Sequence, residues 1–135
     1  MKWKYGVLEK GDHIRVSCQH YYHHGVYLGN NEVIHYTAEN NDGIADPNSV
    51  KVRKTSLDFF ANGNPVEKAT YSFLEKRNRN SVDKIIENAN AHLGEGGYNF
   101  ANHNCEDFVN LCCYKKTPKT QVDSFREKIA GIFKK

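Results

Sequence analysis

Residues 23–35 read HHGVYLGNNEVIH and predict a β-hairpin. Two short apolar runs flank Gly29-Asn30-Asn31, and glycine and asparagine readily adopt the positive φ angles that tight hairpin turns require. If these three residues form the turn, His23 and His35 lie at the same open end of the hairpin. The hairpin would therefore bring two imidazoles together.

Alternation of apolar and polar residues predicts further strands on either side of this hairpin. The stretches 13–18 and 49–55 both alternate, and in the second stretch Val50 and Val52 would face inward. Residues 57–80 contain glycine, proline and a basic run, so we expect a mobile connection there, with a short helix or strand.

Three helices are predicted in the second half of the chain. Ser81 is a suitable N-cap for the first, which ends before Gly94, and the second begins near Asn104. The third spans about 121–133. Its apolar stripe is Phe125, Ile129, Ile132 and Phe133, with Arg126, Lys128, Lys134 and Lys135 beside it. Because strands come first and helices follow, we predict an α+β fold with an antiparallel sheet packed against helices.

Length and composition limit the class of protein. A chain of 135 residues has room for a single domain. No apolar run reaches the roughly 18 residues of a spanning helix, and the first residues lack the apolar stretch of a signal peptide, so we expect a cytoplasmic monomer. The net charge of +3 is too small to indicate nucleic-acid binding, although it suits contact with an anionic membrane surface.

The cysteines do not form a metal or disulfide pattern. Cys18, Cys105, Cys112 and Cys113 lack the paired spacing of zinc knuckles. In a cytoplasmic protein thiols stay reduced, so we expect four free cysteines, no metal and no cofactor. The remaining question is whether one thiol is reactive.

Cys105 is the strongest candidate for a nucleophile. It follows Asn104 at the predicted start of a helix, where unpaired backbone N–H groups stabilise a thiolate. A lowered pKa makes a cysteine nucleophilic, so we expect Cys105 to react before the other three thiols. The alternative, a buried cysteine that acts as a small apolar residue, stays open at this point.

The histidines supply candidates for a base. A thiol nucleophile needs a base within hydrogen-bond distance and a third group that orients the base. His23 and His35 suit these two roles, whereas His24 competes with His23 because neighbouring strand residues point to opposite faces. We expect His24 to point away from the thiol. The histidines without such pairing, interpreted as solvent or packing residues, are His13, His20, His92 and His103.

These motifs resemble those of the lecithin:retinol acyltransferase family, which includes the HRAS-like suppressor phospholipases and acyltransferases. The first histidine of that family's histidine box falls on His23, and His24 fills the aromatic position that follows it. Residues 104–108 match the family's N-C-E-H-F box at four of five positions, with Asp107 in place of the histidine. The resemblance spans about residues 9–114.

The resemblance implies a circularly permuted papain-like fold of the NlpC type, in which the histidine strands precede the cysteine helix. It implies Cys105 as the nucleophile, His23 as the general base and His35 as the residue that orients this base. Tyr21 and Asn104 are weaker candidates for support of the oxyanion. The implied activity is that of a phospholipase A or acyltransferase, which forms a Cys105 thioester from a phospholipid and passes the acyl group to water, an amine or an alcohol.

Other interpretations stay open from the sequence. The same thiol chemistry fits a papain-like cysteine amidase or peptidase, and some viral members of the family are non-catalytic interaction modules. We interpret residues 1–135 as one domain with a core at about 9–114. The helix at about 121–133 either packs on the sheet or lies on an anionic bilayer as a basic amphipathic helix.

Overall fold

A computed structural model describes residues 1–18, 21–39, 47–99 and 104–133, and within them the chain forms an antiparallel sheet flanked by helices. The strands are β1 (Lys2–Lys4), β2 (His13–Ser17), β3 (Tyr22–Gly29), β4 (Glu32–Thr37), β5 (Lys51–Ser56) and β6 (Val66–Thr70). The α-helices are α1 (Leu57–Ala61), α2 (Phe73–Asn78), α3 (Val82–Ala91), α4 (Cys105–Cys113) and α5 (Gln121–Phe133). The predicted α+β fold is confirmed.

The predicted hairpin is formed by β3 and β4. Gly29 pairs with Glu32, and the two residues between them, Asn30 and Asn31, have φ angles of 52° and 60°. Two successive left-handed residues make the type I′ turn whose twist matches that of the flanking strands. A register shift between Tyr27 and Gly29 follows the turn, and beyond it Gly25 lies opposite His35.

The sheet contains strand β1, which was not predicted, and strand β6, which lies where a short helix or strand was expected. The described strands are arranged in the order β1-β6-β2-β3-β4-β5, and each neighbouring pair is antiparallel. Strand β6 pairs with β1 on one side and β2 on the other. The stretch 57–80, expected to be a mobile connection with a short helix or strand, contains α1, β6 and α2, so it holds more regular structure than expected.

The two faces of the sheet carry different side-chain clusters. On one face, called the α4 face, buried residues of β3, β4 and β5 pack against α3 and α4. These residues are Val26, Ile34, Tyr36, Val52, Ile85, Phe108 and Val109. On the other face, called the Phe60 face, Phe60 of α1 packs with Ile14, Val16 and Val33. A Cβ on Gly25 would lie 2.8 Å from the Phe60 ring, so glycine permits this close contact.

Side-chain caps fix the starts of the helices that frame the site. Ser81 accepts from the Lys84 N–H and caps α3, as predicted. Asn104 caps α4, and its side chain accepts from the Asp107 N–H at 3.0 Å while the Asp107 carboxylate accepts from the Asn104 N–H at 3.2 Å. This reciprocal capping box fixes the first turn of α4 and with it the position of Cys105, the first residue of the helix.

Helix α5 forms over the predicted range, and among its described side chains the buried one lies near its start. Val122 is buried, whereas Phe125 is 63% exposed and Ile129 38% exposed. The side chains of Ile132 and Phe133, and all of Lys134 and Lys135, lie outside what the structure describes. Among the described helices, none has both the length and the apolar character needed to cross a membrane.

Candidate active site

The Cys105 thiol lies at the first residue of α4, against the edge of β3. The side chain is 3% exposed, and Sγ donates to the carbonyl oxygen of Tyr22 at 3.9 Å. Tyr22 directly precedes His23 in β3. The fold therefore brings the sulfur to the backbone beside the proposed base.

Burial controls the protonation of this thiol. Loss of solvation raises the pKa of Cys105 to about 12, although the backbone N–H groups of His24 and Glu106 favour the thiolate. The expectation that the helix start lowers this pKa is wrong, because the cost of desolvating the charge exceeds the stabilisation by the N–H groups. The thiol is protonated at neutral pH, and any nucleophilic role requires a base.

The structure brings His23 and His35 together on the Phe60 face. His23 Nε2 lies 2.8 Å from His35 Nδ1, and His35 Nε2 lies 2.7 Å from Thr55 Oγ1. The Phe60 ring contacts both imidazoles, with centroids 5.2 Å and 5.0 Å away. Burial lowers the pKa of His23 to about 4, so its imidazole is neutral at neutral pH and is a weaker base than an ordinary histidine. Within the described part of the chain His23 makes no hydrogen bond to Cys105.

His24 faces α4, contrary to the sequence expectation. Its Nδ1 lies 2.7 Å from His13 Nε2, and its Nε2 lies 3.8 Å from a carboxylate oxygen of Glu106, the residue after Cys105. The expectation that His24 points away from the nucleophile helix is therefore wrong. The strand alternates as expected, but α4 covers the face that carries His24.

His13 is part of the same buried polar chain. It is 1% exposed, and its Nδ1 lies 2.8 Å from the Tyr114 hydroxyl, which in turn lies 2.8 Å from the Tyr71 hydroxyl. His13, interpreted as a solvent or packing residue without a partner, is buried like a packing residue but pairs with His24. The chain satisfies polar groups in the interior, where an unpaired donor or acceptor would cost about 1–3 kcal/mol.

Tyr21 and Asn104, the two weaker candidates for support of the oxyanion, have different surroundings. Tyr21 is half-buried and interacts with the thiol of Cys18, and burial raises the pKa of its phenol to about 12. Asn104 uses its side-chain oxygen to cap α4. Asp107, which replaces the histidine of the family box, completes that cap.

Gln121 is a residue of this site that the sequence did not reveal. Its carboxamide bonds to both backbone groups of Tyr22, and its backbone N–H donates to Glu106. It carries no motif, and the amphipathic pattern of α5 predicts only a helix. Nothing in the sequence indicated that α5 begins beside Cys105.

The domain is α+β, and its cysteine lies at the start of a helix against strand β3. Strands β3 and β4 carry the paired imidazoles of His23 and His35. This arrangement defines a candidate thiol-nucleophile site. The model of the family described as lecithin retinol acyltransferase matches residues 7–118, and the chain belongs to this family. The family assignment made from the two motifs is thereby confirmed.

Curated relatives agree with this assignment. The chain is similar to proteins named lecithin retinol acyltransferase from Mus musculus (24% identical, 93% of this chain and 62% of the relative) and Rattus norvegicus (25%, 89% and 60%). The protein of that name from Bos taurus is 24% identical over 93% of this chain and 63% of its own length. The chain thus spans about three fifths of the length of these relatives.

Proposed function

We propose that this chain is a thiol-dependent acyltransferase or phospholipase A. Membership of the lecithin retinol acyltransferase family supports acyl transfer as the type of reaction. In the proposed reaction Cys105 takes an acyl group from a phospholipid ester and passes it to water, an amine or an alcohol. The order of elements, histidine strands before the cysteine helix, is also that of a circularly permuted papain-like fold.

The observation that carries the proposal is the hydrogen-bond chain that ends at His23. Thr55 Oγ1 donates to the Ser56 carbonyl oxygen at 3.1 Å, so it accepts from the His35 Nε2–H. His35 Nδ1 must then accept from the His23 Nε2–H. This assignment leaves a lone pair on His23 Nδ1, which has no hydrogen-bond partner among the described residues.

Each step of the proposed mechanism uses one of these groups. His23 Nδ1 accepts the proton of the Cys105 thiol as Sγ attacks the ester carbonyl, and the resulting imidazolium is stabilised by His35. Backbone N–H groups at the start of α4 stabilise the oxyanion. His23 then donates the proton to the leaving lysophospholipid alcohol as the C–O bond breaks, which leaves a thioester on Cys105. Attack by water or another acceptor releases the acyl group and restores the thiol.

The first step requires a rearrangement, because the His23 imidazole lies on the Phe60 face of β3 whereas α4, which carries Cys105, packs on the opposite face. In the free protein the thiol bonds to the Tyr22 carbonyl oxygen, one residue before His23. In the proposed step the sulfur leaves that oxygen, and the Cys105 and His23 side chains both turn toward the edge of β3, where the sulfur can reach the ester carbonyl and His23 Nδ1. Catalytic hydrogen bonds often tighten only when substrate binds.

The test is an acyl adduct on Cys105. The protein is incubated with phosphatidylcholine vesicles, digested and examined by mass spectrometry, and hydroxylamine is used to release thioesters. We expect an acyl group on the peptide that contains Cys105, its loss in C105A and its retention in C18A. No adduct and no released fatty acid would contradict the proposed function, and an adduct on Cys18 would contradict the assigned nucleophile.

A further inference from the structure

Gln121 connects the two segments that carry the proposed nucleophile and base. Its Oε1 accepts from the Tyr22 N–H at 3.3 Å, and its Nε2 donates to the Tyr22 carbonyl oxygen at 3.2 Å. Its backbone N–H donates to Glu106 Oε1 at 2.9 Å. Tyr22 precedes His23, and Glu106 follows Cys105, so one residue of α5 bonds beside both groups.

The side chain of Gln121 takes the place of a strand at the edge of β3. The ladder between β3 and β4 ends at the pair Gly25 and His35, so in the described structure β4 does not reach Tyr22. A carboxamide offers one donor and one acceptor, as a peptide group does. Gln121 therefore satisfies both backbone groups of Tyr22, and it bonds to the same carbonyl oxygen that accepts from the Cys105 thiol.

The start of α5 is itself held in place. Thr120 Oγ1 accepts from the Asp123 N–H at 3.0 Å, and the Asp123 carboxylate accepts from the Thr120 N–H at 3.2 Å. Thr120 is buried, as is Val122. Gln121 thus projects from a fixed helix start, which is a condition for holding other groups in register.

We propose that Gln121 is a positioning residue that fixes the separation between Cys105 and His23. This inference rests on the proposed function. It assigns a catalytic contribution to α5, which begins beyond the residues 7–118 that match the family. A misplacement of about 1 Å between reacting groups can cost about 100-fold in rate, so loss of the Gln121 bonds should affect the chemical step.

The experiment compares Q121M, which keeps the length of the side chain without its amide, with Q121E, which keeps only the acceptor. The matched control is S124A in the same helical turn, because the Ser124 hydroxyl donates only to the Thr120 carbonyl within α5. For each full-length variant, kcat and KM are measured with a soluble activated short-chain ester, and the unfolding midpoint in urea is recorded. We expect kcat to fall about 10–100-fold in Q121M and less in Q121E, with KM and the unfolding midpoint near those of S124A.

Each outcome decides the proposal. A kcat of Q121M equal to that of S124A would overturn it, as would a loss that follows only the unfolding midpoint. Should Q121M not fold, Q121E decides, and a wild-type kcat in Q121E overturns the proposal. C105A is measured in parallel: if its turnover is lost while Q121M behaves as S124A, the proposed function stands and only the role of Gln121 fails. If C105A retains turnover, the proposed function fails, and the role of Gln121 fails with it.

Discussion

At the scale of single residues, the two adjoining histidines of β3 differ in what their ring nitrogens contact. His24 Nδ1 is engaged by His13 Nε2, and His24 Nε2 lies 3.8 Å from the Glu106 carboxylate, beyond hydrogen-bond distance, whereas His23 Nε2 is engaged by His35 and His23 Nδ1 has no partner among the described residues. Only a free ring nitrogen can take the proton of the Cys105 thiol. His23 stays the proposed base because His35 and Thr55 orient its imidazole.

This difference predicts the effects of two substitutions. H23A should lower kcat/KM for an activated ester by about 100-fold or more, because it removes the general base. H24A should leave the kcat/KM of folded protein near that of wild type but lower the free energy of unfolding by about 1–3 kcal/mol, since His13 loses a buried partner. Steady-state kinetics and urea unfolding measure the two effects. The reverse ranking in kcat/KM would identify His24 as the base.

The thiols should differ in reactivity in an order set by burial. Cys18 is half-buried, whereas Cys105, Cys112 and Cys113 are buried. At pH 8 a thiol with a pKa of about 12, as in Cys105, is deprotonated in roughly one molecule in 10⁴. We expect iodoacetamide to modify Cys18 first in the free protein, as read by peptide mass spectrometry. Faster modification of Cys105 would show that the backbone N–H groups at the helix start lower the thiol pKa by more than burial raises it.

At the scale of elements, local patterns in the sequence were sufficient for the hairpin and the two capped helices. Asn30 and Asn31 determine the turn, and Ser81 and Asn104 determine where α3 and α4 begin, since each acts on backbone groups within a few residues. These interactions can be predicted because both partners lie close together in the chain.

Long-range contacts explain what the sequence could not provide. Strand β6 has few apolar residues and is stabilised by pairing with β1 and β2, which are distant in the chain. Alternation of β3 showed that His23 and His24 face opposite sides, but only the packing of α4 decided which face carries the nucleophile helix. The contact between Gln121 and Tyr22 joins residues 99 positions apart and has no local signal.

The exposed stripe of α5 supports the proposed contact with membrane surfaces. Phe125 and Ile129 project into solvent beyond the buried Val122, and Arg126 and Lys128 are exposed beside them. A helix binds an anionic bilayer when its apolar side chains insert into the membrane and its basic side chains contact the anionic head groups.

The double variant F125S/I129S should therefore weaken binding to anionic vesicles in sedimentation by about tenfold or more, since each buried apolar side chain contributes about 1.5–3 kcal/mol. Hydrolysis of a soluble ester should be retained, because the substitutions leave Gln121 in place. F73S/L74S is the matched control, since Phe73 and Leu74 are also exposed but lie on α2. Equal loss of vesicle binding in both variants would show that α5 has no special role.

At the scale of the whole molecule, the buried His13, His24 and His35 and the half-buried His23 couple stability to pH. Burial lowers the pKa of His13 to about 3 and that of His23 to about 4, and it lowers the pKa values of His24 and His35 as well. The unfolded chain has ordinary histidine pKa values near 6.5, so between about pH 6.5 and 4 it binds more protons than the folded protein. Stability is thus fully present above pH 6.5 and is lost as the pH falls.

Each of these histidines contributes up to about 1.4 kcal/mol of destabilisation per pH unit in that range. Urea unfolding at pH 7.5, 6.0 and 5.0 should therefore show a steep decline in the free energy of unfolding. H13Q should make this decline shallower by up to about 1.4 kcal/mol per pH unit, the contribution of one proton. A stability that stays constant from pH 7.5 to 5.0 would contradict this picture. Such a result would mean that the folded protein accommodates protonated imidazoles. His23 would then also be protonated below pH 6.5 and could not act as the proposed base there.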